Sequence, residues 1–99
     1  MSHFLLKLIP PRPTFPMDMT EAEGAIMQEH FVYWSGLIAG RTAVAYGPVM
    51  DPNGTYGIGV LELEDEVTAR AVGTNDPAIK AQAGFSFELH AMPDAQVRP

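Results

Sequence analysis

The pattern of apolar and polar positions predicts one long amphipathic helix over residues 20–40, TEAEGAIMQEHFVYWSGLIAG. At about 100° per residue, a stripe about 120° wide carries an apolar series that also contains a histidine. The members of the stripe are Ile26, Met27, His30, Trp34, Leu37 and Ile38. The helix start is marked by Thr20 and by Glu23 three residues later, the spacing of a capping box, and Gly40 is a suitable end.

Shorter apolar runs predict four strands, at residues 3–9, 41–49, 56–64 and 85–91. The first strand ends at Pro10 and Pro11, and the loop that follows, residues 10–19, contains four prolines and should be extended and stiff. Residues 50–54, MDPNG, predict the tight turn between the second and third strands, since Asn-Gly readily adopts positive φ.

Two further helices are expected before the last strand. Asp65 is suited to cap a helix of sequence EVTARAV, which we expect to stop at Gly73. Asp76 followed by Pro77 is typical of the start of a short helix, with Asp at the N-cap and Pro in the first position.

The resulting order of major elements is strand, helix, strand, strand, helix, strand. With right-handed crossovers, this order gives a four-stranded antiparallel sheet with both helices on one face. The predicted architecture is therefore a ferredoxin-like α+β fold (βαββαβ). We expect a single domain over residues 1–99, because this length holds only one hydrophobic core.

The predicted sheet has one face that the helices do not cover. The first strand is nevertheless apolar on both sides, because Leu5 and Ile9 point away from Phe4, Leu6 and Leu8. An uncovered apolar face on a small protein normally marks an interface. We therefore expect a homodimer in which the helix-free sheet faces pack together.

Composition narrows the class of partner. Twelve acidic residues against six Lys or Arg give a formal charge of −6, which argues against nucleic acid as the main partner. The absence of cysteine excludes a disulfide framework, a thiolate nucleophile and a Cys-based zinc site. The apolar runs are too short to span a bilayer, and the N-terminus lacks the order of a signal peptide. We expect a cytoplasmic protein with no membrane partner.

Several residues have both a structural and a functional interpretation. His30 lies on the apolar stripe, either as a core histidine bonded to a carbonyl or as a site residue with a partner elsewhere. Arg12 is the single cation of the proline-rich loop and is either solvated or directed at a ligand. Gly57 and Gly59 share one strand face, where they allow close packing of a helix or leave room for a ligand.

Other chemistries lack a sequence signal. No serine lies in a G-x-S-x-G context, and no Gly-rich phosphate loop is present. The three histidines do not have metal-ligand spacing, and no redox cofactor motif occurs. We expect neither a metal nor a cofactor, which leaves acid–base chemistry on a small molecule.

Three segments, EHFVYW, YGPVMDPNGTYGIGV and NDPAIKAQAGFSFELHAM, together resemble the YciI-like (YCII-related) family of dimeric α+β barrel proteins. The resemblance covers most of the chain. In that family a helix histidine is followed by tyrosine three residues later, as His30 and Tyr33 are here, and a Gly-Pro follows strand two, as Gly47-Pro48 does. The aspartate of an Asp-Pro motif, here Asp76, pairs with the histidine as the candidate active site.

What the resemblance implies is a small cofactor-independent enzyme in which His30 and Asp76 perform acid–base chemistry. Some relatives are linked to dehydrochlorination or to lactone and quinone chemistry on small aromatic breakdown products. Elimination, dehydrochlorination or isomerisation of an aromatic or lactone metabolite is therefore expected. The proline-rich loop is longer than in the shortest family members, so the rim of the pocket should differ. The expected substrate-binding residues are Arg12, Tyr33, Trp34 and Tyr46.

Two other functions fit the same sequence. The protein could be a non-catalytic ligand-binding or regulatory homodimer in which the pocket only holds a metabolite. It could also be a structural accessory subunit. A titratable histidine in an open pocket separates the first two functions from the third, and loss of turnover with retained binding separates the enzyme from the ligand-binding protein.

Overall fold

The chain forms four strands and three helices, and the computed structural model describes all residues 1–99. The strands lie within two residues of their predicted ends. The elements are β1 (Ser2–Ile9), α1 (Glu21–Ala39), β2 (Ala43–Val49), β3 (Tyr56–Leu63), α2 (Glu66–Thr74), α3 (Pro77–Lys80) and β4 (Ser86–Ala91). None of the helices has the length and apolar character needed to cross a membrane.

The sheet has the strand order β2-β3-β1-β4, and every neighbouring pair is antiparallel. This is the order that two right-handed split β-α-β units produce. The predicted ferredoxin-like α+β fold is therefore confirmed. It is the protomer topology from which dimeric α/β barrels are built.

Local sequence signals set most of the helix ends. Thr20 and Glu23 form the predicted capping box at the start of α1, and Gly40 caps its end. The expected stop of α2 at Gly73 is wrong, because the helix continues to Thr74. A Cβ at position 73 would lie 2.5 Å from the ring of Phe87. Gly73 therefore allows close packing of α2 on β4 instead of ending the helix.

The core lies between the helices and one face of the sheet. Phe4 and Leu6 of β1 and Leu61 and Leu63 of β3 are buried there, together with Trp34 of α1, whose exposed fraction is 1%. The predicted apolar stripe of α1 does not stay buried along its whole length, since Ile38 in the last turn is exposed. At that end of the helix the stripe is no longer fully covered by the sheet.

The closest approach between α1 and the sheet occurs at Gly59. A Cβ on this residue would lie 2.3 Å from two carbon atoms of the Trp34 indole, so only glycine fits without movement. The packing interpretation therefore holds for Gly59. At Gly57, two residues earlier, a Cβ would come no closer than 3.5 Å to another atom, and this residue lines a cavity described below.

The opposite face of the sheet has a partly exposed apolar centre. Leu5 pairs directly with Val60, and Lys7 pairs with Ile58, so these side chains share the helix-free face. Polar pairs flank the centre, with His3 Nε2 3.0 Å from Glu62 Oε2 and His90 Nε2 3.0 Å from Glu88 Oε1. This face is less uniformly apolar than Leu5 and Ile9 alone predict, because His3 and Lys7 of β1 lie on it as well.

The contact between Gly59 and Trp34 gives a first prediction. Gly59→Ala should lower the free energy of unfolding by about 1–3 kcal/mol, because the new methyl group overlaps the indole ring. Urea denaturation measures this change. The matched control is Gly47→Ala on β2, where a Cβ meets no atom within 4 Å and the change should stay below about 1 kcal/mol. Equal effects of the two substitutions would contradict the packing role of Gly59.

Candidate active site

His30 and Asp76 meet where the middle of α1 contacts the start of α3. The Nδ1 atom of His30 lies 3.0 Å from Oδ1 and 2.9 Å from Oδ2 of Asp76. The Asp76 side chain is buried, with 1% exposed, whereas 18% of the His30 side chain is exposed. The predicted hydrogen bond between these two side chains is therefore present.

Asp76 also caps α3, as its position before Pro77 predicts. Its Oδ1 atom accepts a hydrogen bond from the backbone N–H of Ala78 at 2.9 Å. Its Oδ2 atom accepts a hydrogen bond from Nε1 of Trp34 at 2.7 Å. The Trp34 and Ala78 N–H groups can only donate, which suits an ionised carboxylate because that group only accepts hydrogen bonds. The capping role and the contact with His30 occur together.

The contact with Asp76 sets the tautomer of His30. Because an ionised carboxylate accepts, Nδ1 carries the proton, and in the neutral ring Nε2 is left with a free lone pair. Nε2 has no protein partner. The protein contains no buried side-chain nitrogen or oxygen atom without a hydrogen-bond partner, so Nε2 is not sealed in the core. His30 lines a cavity, and Nε2 is its available ring nitrogen.

The cavity has a volume of about 310 Å³ and lies between α1, the loop of residues 10–19 and the β2–β3 side of the sheet. Eleven of its 18 lining residues are hydrophobic, so its walls are mostly apolar. They include Leu8, Phe15, Met27, Phe31, Trp34 and Phe85. The lining residues with polar side chains include His30, Tyr46, Thr55 and Tyr56, and no Lys, Arg, Asp or Glu is among them. The centroid of the Tyr56 ring lies 4.4 Å from Lys7 Nζ, on the side of the helix-free face.

Two of the predicted aromatic residues line the cavity and one does not. Trp34 and Tyr46 stack with ring centroids 5.9 Å apart, and the Tyr46 hydroxyl lies 3.2 Å from Ser35 Oγ. Tyr33 instead donates its hydroxyl proton to the Val72 carbonyl oxygen at 2.7 Å. Burial raises the pKa of Tyr33, and the Asp76 carboxylate adds to this shift. The expected substrate contact of Tyr33 is thus replaced by a bond between α1 and α2.

The helical angle explains this difference. Relative to His30, position 33 is rotated by about −60° and position 34 by about +40°. The two aromatic side chains therefore leave α1 on opposite sides of the histidine. A family motif that pairs a histidine with a tyrosine three residues later does not by itself place that tyrosine in the cavity.

The proline-rich loop borders the cavity, as predicted, through Pro10, Phe15, Pro16 and Met19. The single cation of the loop, Arg12, is not among the residues that line the cavity. Arg12 donates to both carboxylate oxygens of Glu23, at 2.8 and 2.7 Å, and to Asp18 Oδ1 at 2.9 Å. The expectation that Arg12 contacts a substrate group at this cavity is therefore not supported. Its guanidinium fastens the loop to the first turn of α1.

These ion pairs shift the acidity of the groups involved. The Arg12 guanidinium lowers the pKa of Glu23 to about 2, and hydrogen bonding to Glu23 and Asp18 raises the pKa of Arg12. Glu23 also accepts from the Thr20 backbone N–H at 3.0 Å, so one carboxylate completes the capping box and holds the loop. The sequence signal for Glu23 indicated only the capping box.

Sequence reasoning missed several cavity residues. Phe31 lies beside His30 on α1 and its ring is 6.2 Å from that of Tyr46, centroid to centroid. Phe15 and Phe85 form an edge-to-face pair with centroids 5.4 Å apart. Their role depends on how the loop of residues 10–19 folds over the end of the sheet, which no local pattern specifies. No group of three or more His, Cys, Asp or Glu side chains is arranged to hold a metal ion.

Comparisons with known proteins agree with the fold. No protein-family model matches the sequence, and no curated protein matches it significantly. Among solved structures, it is similar to 5-chloro-2-hydroxyhydroquinone dehydrochlorinase from Burkholderia phenoliruptrix AC1100, in complex with 2,5-dihydroxybenzoquinone. The TM-score is 0.59 and the identity 20%, over 86% of this chain and 90% of that one. At this level of identity the likeness is one of fold.

The ion pair between Arg12 and Glu23 predicts a pH dependence of stability. A carboxyl group with a lowered pKa stabilises the folded state above its ordinary pKa, and this contribution is lost as the pH falls. Glu23→Gln should therefore be less stable than the wild type near pH 7. The difference should shrink below the ordinary value of 4.5 and vanish as the pH approaches about 2.

Urea denaturation of both proteins at several pH values measures this difference. The matched control is Glu21→Gln, in the same helical turn, whose exposed carboxylate has no cationic partner in the structure. That variant should be close to the wild type across the range. A constant difference between Glu23→Gln and the wild type at all pH values would contradict the ion-pair explanation.

Proposed function

We propose that this protein is a small cofactor-independent enzyme in which His30 acts as a general base on a ring-shaped apolar molecule. The single observation that carries the proposal is the geometry of the imidazole. The buried Asp76 carboxylate is hydrogen-bonded to Nδ1, and Nε2 has no protein partner. His30 itself lines an apolar cavity. A core histidine would have both nitrogens satisfied by the protein.

The pairing gives the histidine what a general base requires. Asp76 fixes the tautomer that exposes the Nε2 lone pair, and its negative charge stabilises the imidazolium formed after proton transfer. Proton transfer by a positioned side chain contributes about 10²–10⁴-fold to a rate. A protein that only binds a ligand does not require stabilisation of an imidazolium, which favours catalysis over binding alone.

The cavity suits an uncharged or weakly acidic ring. A cavity of about 150 Å³ lined by apolar side chains binds benzene, so about 310 Å³ accommodates one ring with several substituents. No cation lines the cavity to pair with a carboxylate or phosphate. The hydroxyl group of Tyr46, a lining residue that also contacts Ser35 Oγ, is a hydrogen-bonding group for hydroxyl or carbonyl oxygens on the ring.

Elimination is the reaction class that we propose, with isomerisation as the related possibility. In an elimination, His30 Nε2 takes a proton from a ring hydroxyl or carbon, and the released electron pair forms a new C=O or C=C bond. For a chlorinated substrate in its keto tautomer, chloride leaves a saturated ring carbon with the bonding electrons as the new double bond forms to that carbon, so the net loss is HCl. The name of the dehydrochlorinase that shares this fold supports this class of reaction.

We also propose membership of the YciI-like family. The support is the set of motif residues, in particular His30, Gly47-Pro48 and Asp76, and the contact between the first and last of them. A lactone substrate remains compatible with the same geometry, because opening or isomerising a lactone also begins with a proton transfer.

Turnover by a histidine variant tests the proposed function. Wild-type protein is incubated with chlorinated hydroxyhydroquinones, and chloride release and quinone absorbance are recorded. We expect His30→Gln to lower turnover by about 10²–10⁴-fold, since the amide fills the site but cannot act as the base. Calorimetric binding of 2,5-dihydroxybenzoquinone should be retained in this variant.

The matched control is His90→Gln, which removes an exposed imidazole bonded to Glu88 on the other face of the sheet. It should leave turnover and binding unchanged. Equal turnover in His30→Gln and wild type would refute the general-base role. Binding of the quinone by wild type without turnover of any compound tested would instead identify a ligand-binding protein.

We further propose a homodimer formed through the helix-free sheet face. The partly exposed centre with Leu5, Ile58 and Val60 supports this assembly, because an apolar face of that kind on a small protein is normally covered. The polar pairs at its edges, such as His3 with Glu62, have the character of an interface rim. A stable dimer should bury at least about 1,000 Å².

Sedimentation or light scattering at micromolar concentration tests the assembly. Val60→Asp places a charge at the centre of the proposed interface and should give a folded monomer, because an unpaired buried charge opposes association. The matched control is Val67→Asp on α2, where the side chain is 81% exposed and assembly should be unaffected. A wild-type monomer would contradict the proposal.

A further inference from the structure

We propose that Trp34 is a positioning residue that acts on His30 through Asp76. This inference rests on the proposed general-base role of His30. The indole N–H of Trp34 donates to Oδ2 of Asp76 at 2.7 Å, and the same oxygen accepts from His30 Nδ1 at 2.9 Å. One carboxylate oxygen thus joins the two side chains in a single hydrogen-bonded network.

The indole is held in place from several sides. Its ring stacks on Tyr46, with an angle of 25° between the ring planes, and meets Tyr33 edge-on with centroids 6.3 Å apart. On the sheet side, the missing side chain of Gly59 provides the space that the ring fills. With 1% of its surface exposed, Trp34 has little freedom to turn its N–H away from Asp76.

A fixed donor on Oδ2 has two effects on the carboxylate. It prevents rotation of the group, so that both oxygens remain within hydrogen-bond distance of Nδ1. It also takes up part of the negative charge that would otherwise act only on the Nδ1 proton and the Ala78 N–H, because hydrogen bonds in a buried network polarise one another. Trp34 therefore sets both the orientation of His30 and how strongly Asp76 attracts its proton.

A purely structural role for Trp34 makes a different prediction. As a core side chain it would need its N–H satisfied, but the state of His30 would not affect it and it would not affect His30. The two roles are therefore distinguished by coupling between the indole and the imidazole. Such coupling is measurable in the free protein, without any substrate.

The test uses the fact that Trp34 is the only tryptophan, so ¹⁵N-labelled protein has a single indole N–H resonance. As the pH is lowered and His30 takes up its second ring proton, the indole resonance should shift with the same midpoint as the His30 ring carbons. In His30→Gln this pH-dependent shift should disappear. An indole resonance that does not move while His30 titrates would overturn the inference.

Substitution of Trp34 gives the reverse test. Trp34→Phe retains an aromatic ring but removes the N–H donor, and the fraction of His30 in the Nδ1–H tautomer, read from its ¹⁵N shifts, should fall. For a compound that the wild type turns over, kcat should fall about tenfold to a hundredfold, because the base is misoriented. The matched control is Tyr33→Phe, which deletes one polar atom from a neighbouring ring whose hydroxyl bonds Val72, and should change neither quantity.

The outcomes separate this inference from the proposed function. If the indole and imidazole titrate together but His30→Gln keeps full turnover, the positioning network exists and the proposed function is wrong. If His30→Gln loses turnover while Trp34→Phe keeps the wild-type tautomer and kcat, the function holds and the role of Trp34 is wrong. Should Trp34→Phe fail to fold, the resonance shift in the wild type still decides the question.

Discussion

The buried carboxylate of Asp76 is the interaction on which the site depends. Leaving a carboxylate in a protein interior without partners costs several kcal/mol, so the fold must bring donors to it. Two donors come from α1, the ring N–H of His30 and the indole N–H of Trp34, and the third is the backbone N–H of Ala78 in α3. Because these groups belong to different elements, satisfying this one charge fixes α3 against the middle of α1. It also determines which nitrogen of the histidine ring is left without a protein partner.

The remaining geometry follows from how closely α1 can approach the sheet. Gly59 lets the Trp34 ring lie directly on β3. Because the Trp34 indole N–H bonds Asp76, this close contact also places the Asp76 hydrogen bonds next to the core. Beyond Trp34, glycine at position 57 adds no side chain, and the proline-rich loop closes over the space with Phe15 and Pro16. The loop is held by an ion pair between Arg12 and Glu23 that lies outside the cavity. The cavity thus has mostly apolar walls, while the ion pair that holds the loop lies outside it.

The position of the charged side chains outside the cavity affects the chemistry that the cavity can support. The protein carries a formal charge of −6, yet no Lys, Arg, Asp or Glu side chain lines the cavity, and His30 is its one lining histidine. An apolar environment strengthens the electrostatic interaction between the imidazole and its carboxylate. It also favours a planar, weakly polar ligand over a carboxylate or phosphate. These properties are compatible with the proposed proton transfer on a small ring.

The sequence by itself determined the features that depend on neighbours along the chain. The order of strands and helices, the capping box of Thr20 and Glu23 and the cap of α3 at Asp76 are all set by interactions within a few residues. The placement of His30 on an apolar stripe also indicated that it needed a partner. Tertiary structure alone decided which side chains reach the cavity. Arg12 is drawn to Glu23, eleven residues away, and Tyr33 bonds a carbonyl oxygen 39 residues away. Contacts of this kind depend on how separate elements pack together, and no local periodicity encodes them.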